Sequence, residues 1–168
     1  MKRAWIIGLL LVPIGVASCV FGGQRPSDAE LMHKVKSLQE KLMNEDDSAQ
    51  RELIRSQYIS LVGEKPDGIV MTNMAGDILE ANQAYQDMLG YTLTELRELS
   101  YQQITPQKWH EMEAGMVSEA MNKDYVRFQK EYMGKDGVVF PIEITGWIIK
   151  DASGKAIGTG SIVKRVAQ

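Results

Sequence analysis

Hydrophobic and polar positions divide the 168-residue chain into stretches of different period. An uncharged run, AWIIGLLLVPIGVASCVF, follows Lys2 and Arg3, and charge returns only at Arg25. From Ser27 to about Asn44 the apolar residues Leu31, Val35, Leu38 and Leu42 alternate spacings of four and three, with charges between them, as in a coiled-coil seam. NEDDS interrupts this pattern. Asp47 followed by Gln50 then reads as the start of a second helix, which carries Leu53 or Ile54, Tyr58 and Leu61 towards Gly63 and Pro66.

Beyond Pro66 the period changes from helical to strand-like. GIVMTNMAGDILEAN is two short apolar runs around a glycine-bearing turn, a hairpin signature. Ala81, Ala84, Tyr85, Met88 and Leu89 then share one helical face. Gly90 stops that helix, and TLTE offers a capping box for another turn. Thr105 and Pro106 read as an N-cap and first-turn proline for a longer helix to about Asn122. Three strands follow, DYVRFQKEYM, VVFPIEITGWIIK and KAIGTGSIVKRV, separated by the turns GKDG and DASG. Two strands, several short helices and three strands in hairpins predict an α+β domain: one five-stranded antiparallel sheet with helices on one face, preceded by a helical stalk.

Charge and cysteine usage then bear on location. The charged start and apolar run have the plan of a secretory signal. Val16-Ala17-Ser18-Cys19 resembles the lipobox of bacterial lipoproteins, and Cys19 is the only cysteine. That resemblance implies cleavage after residue 18 and lipid on Cys19, so the chain would sit in the bacterial cell envelope on a periplasmic or extracellular face. The choice between inner and outer membrane stays open. An uncleaved anchor also stays open, since about 18 apolar residues just reach across a bilayer. Removing residues 1–18 leaves 150 residues and takes Lys2 and Arg3 from the 19 basic side chains. The remaining 17 face 22 acidic ones, a formal charge of −5 that argues against a nucleic-acid partner. The expected organisation is a signal peptide at 1–18, a linker and stalk at 19–52, and a domain at 53–168.

PDGIVMTNMAGDILEAN, NQAYQDMLGYTLTEL, EYMGKDGVVFPIEI and DASGKAIGTGSIVKR resemble the PAS family in order, spacing and turn chemistry. The resemblance implies a sheet and helices enclosing a small cavity, in a sensory or interaction module. The family's cysteine-based flavin adduct and coumaroyl chromophore are excluded, because the domain has no cysteine. The Cys-x-x-Cys-His of a c-type haem is also absent. Noncovalent haem is disfavoured: matching the haem-binding members at Thr105-Pro106 puts their ligand position on Glu113, with His110 three residues earlier. No catalytic constellation or metal-ligand cluster is visible, which points away from an enzyme.

On an ideal helix Trp109, Met112, Met116, Val117, Ala120 and Met121 form one apolar arc with Glu113 near its middle. A carboxylate there must reach water, find a partner or take up a proton. Glu113, Trp109, Met112 and Met116, with Tyr85, Met88, Phe128, Ile142 and Ile144, are the candidates to line the cavity. The expected protein is a lipid-anchored PAS sensor, a homodimer through Leu31, Val35, Leu38 and Leu42. The sequence ends just past the last strand, so its signal would pass to an output protein encoded elsewhere. A ligand-free dimerisation or scaffold module at the membrane is the alternative. Labelled palmitate should enter the native chain and not Cys19→Ala in a bacterial host; an unlabelled native chain would remove the lipid anchor.

Overall fold

The computed structural model describes residues 28–63 and 65–167, so Cys19 and the apolar leader lie outside the described residues. Two helices come first, α1 (Asp28–Asn44) and α2 (Ser48–Val62), then β1 (Gly68–Asn73) and β2 (Ile78–Ala81). Short helices α3 (Gln83–Leu89) and α4 (Leu93–Leu96) precede a 3-10 turn at Gln107–Trp109 and α5 (His110–Ala120). The chain closes with β3 (Val126–Met133), β4 (Val139–Lys150) and β5 (Ala156–Arg165). All strand pairs are antiparallel, in the order β2-β1-β5-β4-β3. This is the predicted five-stranded α+β architecture. Among the described residues, no helix is long and apolar enough to cross a membrane.

Local signals fix the element ends. Asp47 accepts the Gln50 amide at 2.8 Å and starts α2. Asn82 caps α3 through the Tyr85 amide, and it also ties three segments together. Its Oδ1 accepts the Ile69 amide at 2.8 Å, and its Nδ2 donates to the carbonyls of Val62 and Asp67, each at 3.0 Å. Gly90 ends α3 in the left-handed region at φ +78°, and Thr92 with Glu95 forms the capping box of α4. Thr105 does not cap α5. Its hydroxyl donates to the Tyr101 carbonyl at 2.8 Å, Pro106 opens the 3-10 turn, and α5 begins only at His110.

Helices cover both faces of the sheet, not one. On the inner face α3, α4 and α5 pack over Val70, Ile142, Ile144, Ile148 and Val163. On the outer face α1 and α2 pack over Ile69, Met71, Trp147, Ile149 and Ile162. The stalk and its dimer seam are therefore corrected. Leu31, Val35 and Leu42 are buried in the outer-face cluster of their own chain, and Leu38 packs against it partly buried. The heptad spacing is real, but the apolar partner it meets is the sheet. The division between residues 52 and 53 falls inside α2, which shares one core with the strands.

Gln39 is the polar centre of that outer layer and is fully buried. The Trp147 indole donates to Gln39 Oε1 at 3.1 Å, and Gln39 Nε2 donates to the Tyr58 hydroxyl at 3.3 Å and the Val70 carbonyl at 3.4 Å. One amide thus joins α1, α2, β1 and β4. A Cβ on Gly160 of β5 would fall on Gln39 Oε1 and the Trp147 indole, so this packing requires glycine there. Gly160→Ala should therefore cost about 1–3 kcal/mol by overpacking. Gln39→Leu should cost about 1–3 kcal/mol by stranding the indole N–H. Both losses can be read from urea unfolding of the full chain.

Candidate functional site

Side-chain size along the sheet floor creates a gap beneath α5. Gly146 of β4 has no side chain, and its register partner on β5 is Ser161; on the adjoining strands Thr72 faces Thr159, their hydroxyls 2.8 Å apart. These four small residues leave a cavity of about 60 Å³. Met116, Val117 and Ala120 of α5 roof it. Val126, Phe128, Ile144 and Ile148 form its apolar wall, and Tyr85, Tyr101, Tyr132 and Glu113 meet at one end. Trp147 also borders it, although strand alternation sends the indole to the outer face.

Glu113 is 6% exposed and Lys130 2%. Their side chains form an ion pair between α5 and β3 through Lys130 Nζ and Glu113 Oε1. Lys130 Nζ also donates to Thr105 Oγ1 at 2.7 Å and lies 4.4 Å from the Tyr132 ring centroid, a cation–π contact. The ammonium is thus enclosed by protein groups. Glu113 is satisfied on one side only, since its Oε2 accepts no hydrogen bond from any described residue. The Thr105 hydroxyl lies beside the carboxyl, but its one proton goes to the Tyr101 carbonyl at 2.8 Å.

Burial shifts both charges towards neutrality. It raises the Glu113 carboxyl above its usual range, and the Lys130 charge offsets this only in part. It lowers the Lys130 ammonium from 10.5 to about 8, against the opposing pull of Glu113. At neutral pH the lysine is therefore protonated, and the Glu113 carboxyl is the acidic group in contact with it. Tyr85 donates to the Tyr132 hydroxyl at 3.3 Å, and burial raises both phenols well above their usual range, so both stay neutral.

The predicted residues divide. Glu113, Met116, Tyr85, Phe128 and Ile144 line the cavity, whereas Trp109, Met112, Met88 and Ile142 do not. Trp109 sits in the 3-10 turn, where about three residues complete a turn, so the angular count from an ideal α-helix misplaces it. Its indole donates to Glu131 at 3.1 Å, and Lys108 lies over its ring. Met112 is half-buried on α5. Ile142 and Met88 belong to the inner core, Ile142 fully buried and Met88 packed at its edge. His110 also points elsewhere: its Nε2 faces the carbonyls of Gln102 at 3.1 Å and Thr105 at 3.0 Å, so that nitrogen carries the proton and is not free to ligate iron.

Lys130 and Tyr132 were missed. The signal for them was strand parity, since Val126, Phe128, Lys130 and Tyr132 alternate along VRFQKEYM on the face that carries the apolar residues.

A sheet in this strand order, with helices closing a small cavity over its inner face, is the architecture of a PAS-type sensory module. The PAS domain family model matches residues 66–164, and the chain belongs to that family. Among curated proteins, none matches the sequence. The solved structures it resembles include the PAS domain of a protein from Colwellia psychrerythraea. That likeness has 19% identity and a TM-score of 0.62, covering 67% of this chain and 97% of the other. A PAS domain from a two-component sensor histidine kinase has 19% identity and a TM-score of 0.58, covering 68% and 98%. The PAS domain of a LuxR-family transcriptional regulator from Burkholderia thailandensis, solved in complex with ethanol, has 13% identity and a TM-score of 0.56, covering 66% and 98%.

Removing one member of the buried pair, as in Glu113→Gln or Lys130→Met, should cost about 3–5 kcal/mol in urea unfolding. Glu113→Leu with Lys130→Met should be within about 1 kcal/mol of wild type or more stable. The lysine also sets a pH dependence. Between pH 8 and 10.5 the unfolded chain holds a proton that folded Lys130 has released. Its contribution to stability therefore rises with pH over that window, and this increment should be missing from the double variant.

Proposed function

We propose that this protein is a signal-input PAS protein. A small molecule occupies the cavity beside Glu113, and its arrival changes how the sheet holds α1 and α2. The observation that carries this reading is Glu113, a cavity-lining residue whose buried Oε2 accepts no hydrogen bond from any described residue. An unsatisfied buried acceptor is costly, and a ligand that donates to it removes the cost. The ethanol complex of the Burkholderia domain supports the size argument, since ethanol is a molecule of the scale that this cavity admits.

The route outward runs through β4. Gly146 borders the cavity, and the next residue, Trp147, sends its indole to Gln39 on α1. Movement of β4 on ligand binding would reach the outer helices through that hydrogen bond, and an output protein reads α1 and α2 in two packings. PAS domains commonly dimerise and relay signals to partners, and a partner fits this reading better than a chemical step. We place the domain at the envelope surface, lipid-anchored through Cys19; the motif VASC supports this location.

A thermal-shift screen of very small polar compounds against the full chain tests the ligand. At a concentration of ten times Kd a binder should add about 1.4 kcal/mol of stability, and Gly146→Val, which puts two methyls into the cavity, should abolish the shift. If no compound stabilises the wild type, the ligand-free scaffold takes the place of the sensor.

A further inference from the structure

The charge arrangement around the cavity restricts what can enter it. Glu113 presents one lone carboxylate oxygen, Oε2, while its other oxygen is held by Lys130. Lys130 is itself enclosed by Glu113, Thr105 and the Tyr132 ring and does not line the space. The two charges cancel within one contact. A ligand therefore meets an acceptor that is already neutralised, not a bare anion. A cationic ligand would bring a second positive charge close behind that carboxylate, and an anionic one would bring a carboxylate against Oε2. Either would bury net charge, which is costly.

Size narrows the choice further. A cavity of about 150 Å³ admits benzene, so about 60 Å³ admits on the order of three non-hydrogen atoms. Met116, Phe128, Ile144 and Ile148 make an apolar wall that suits a short carbon body, and the hydroxyl residues Thr72, Thr159 and Ser161 lie on the floor opposite. Resting on the sensing role proposed above, we infer that the cavity selects neutral short-chain alcohols: the hydroxyl donates to Glu113 Oε2 and the alkyl group lies under Met116. Affinity for so few atoms reaches roughly the sub-millimolar range at best, which fits detection of an abundant metabolite.

The test uses the full chain labelled with [methyl-13C]methionine, with the Met116 methyl as reporter and the remote Met74 methyl as control. Ethanol, ethylammonium and acetate are titrated separately at pH 7. The expected result is a saturable shift of Met116 by ethanol at a concentration about tenfold or more below that for either ion. Tighter or equal binding of ethylammonium would mean that Glu113 acts as a bare charge, and of acetate that Lys130 is the recognition group. Either outcome overturns the inference while leaving the sensor intact. Failure of all three to move Met116 would overturn the ligand site itself. In Glu113→Gln, where Lys130 is left uncompensated, the preference for ethanol over acetate should fall by about tenfold; an unchanged preference overturns the role of Glu113. Should that variant not fold, the ranking in the wild type decides alone.

Discussion

Ile69, Met71, Trp147, Ile149 and Ile162 make the outer face of the sheet apolar, and water solvates such a face only at a cost of about 1.5–3 kcal/mol for each large side chain. The inner face, with Val70, Ile142, Ile144 and Val163, is apolar too. A sheet built this way needs cover on both sides. α3, α4 and α5 supply one layer and α1 with α2 the other, so the whole described chain is organised by the two faces of five strands. The position of the N-terminal helices follows from this constraint, and their own apolar stripe is the surface that meets the sheet.

Double cover also turns the sheet into a partition between two sites. Cavity and outer layer lie on opposite sides of β4, and adjacent residues serve them: Gly146 opens the floor of one, and Trp147 anchors the other through Gln39. A hydrogen-bonded amide is a more demanding anchor than an apolar contact, because the indole N–H and both ends of Gln39 need partners at fixed positions. Gly160 shares the restriction, since only glycine clears the Gln39 oxygen. Outer-layer geometry is thereby tied to the strand that borders the cavity.

How much could be read in advance depended on the range of the signal. Asp47, Asn82, Gly90 and the Thr92–Glu95 box are local devices, and each ended or began an element where the residues indicated. The sheet was legible from period-two runs and glycine turns. The cover on the outer face was not, although a clue was present: GIVMT and WII are continuous apolar runs, which strands show when both faces are buried. Thr105-Pro106 looked like a helix start, but the hydroxyl had a stronger use between Lys130 and the Tyr101 carbonyl. In the site, Glu113 stood out because a carboxylate in an apolar arc is anomalous on its own helix. Its partner lies 17 residues away on a strand, and only the parity of β3 links Lys130 to the same face.

That parity gives the pair a consequence for specificity. A buried ion pair is weak evidence for stability, because two apolar residues of similar volume often do as well or better. What an apolar pair lacks is intolerance of error. A one-residue slip of β3 would turn Lys130 outward and bring Gln129 or Glu131 against Glu113, and rotating α5 by one residue would leave Lys130 facing apolar side chains. Either mistake buries an uncompensated charge. The Glu113–Lys130 contact thus fixes α5 over one register of β3, and the same contact leaves Oε2 without a hydrogen bond from any described residue. The requirement that places the helix also fixes the chemistry that the cavity presents.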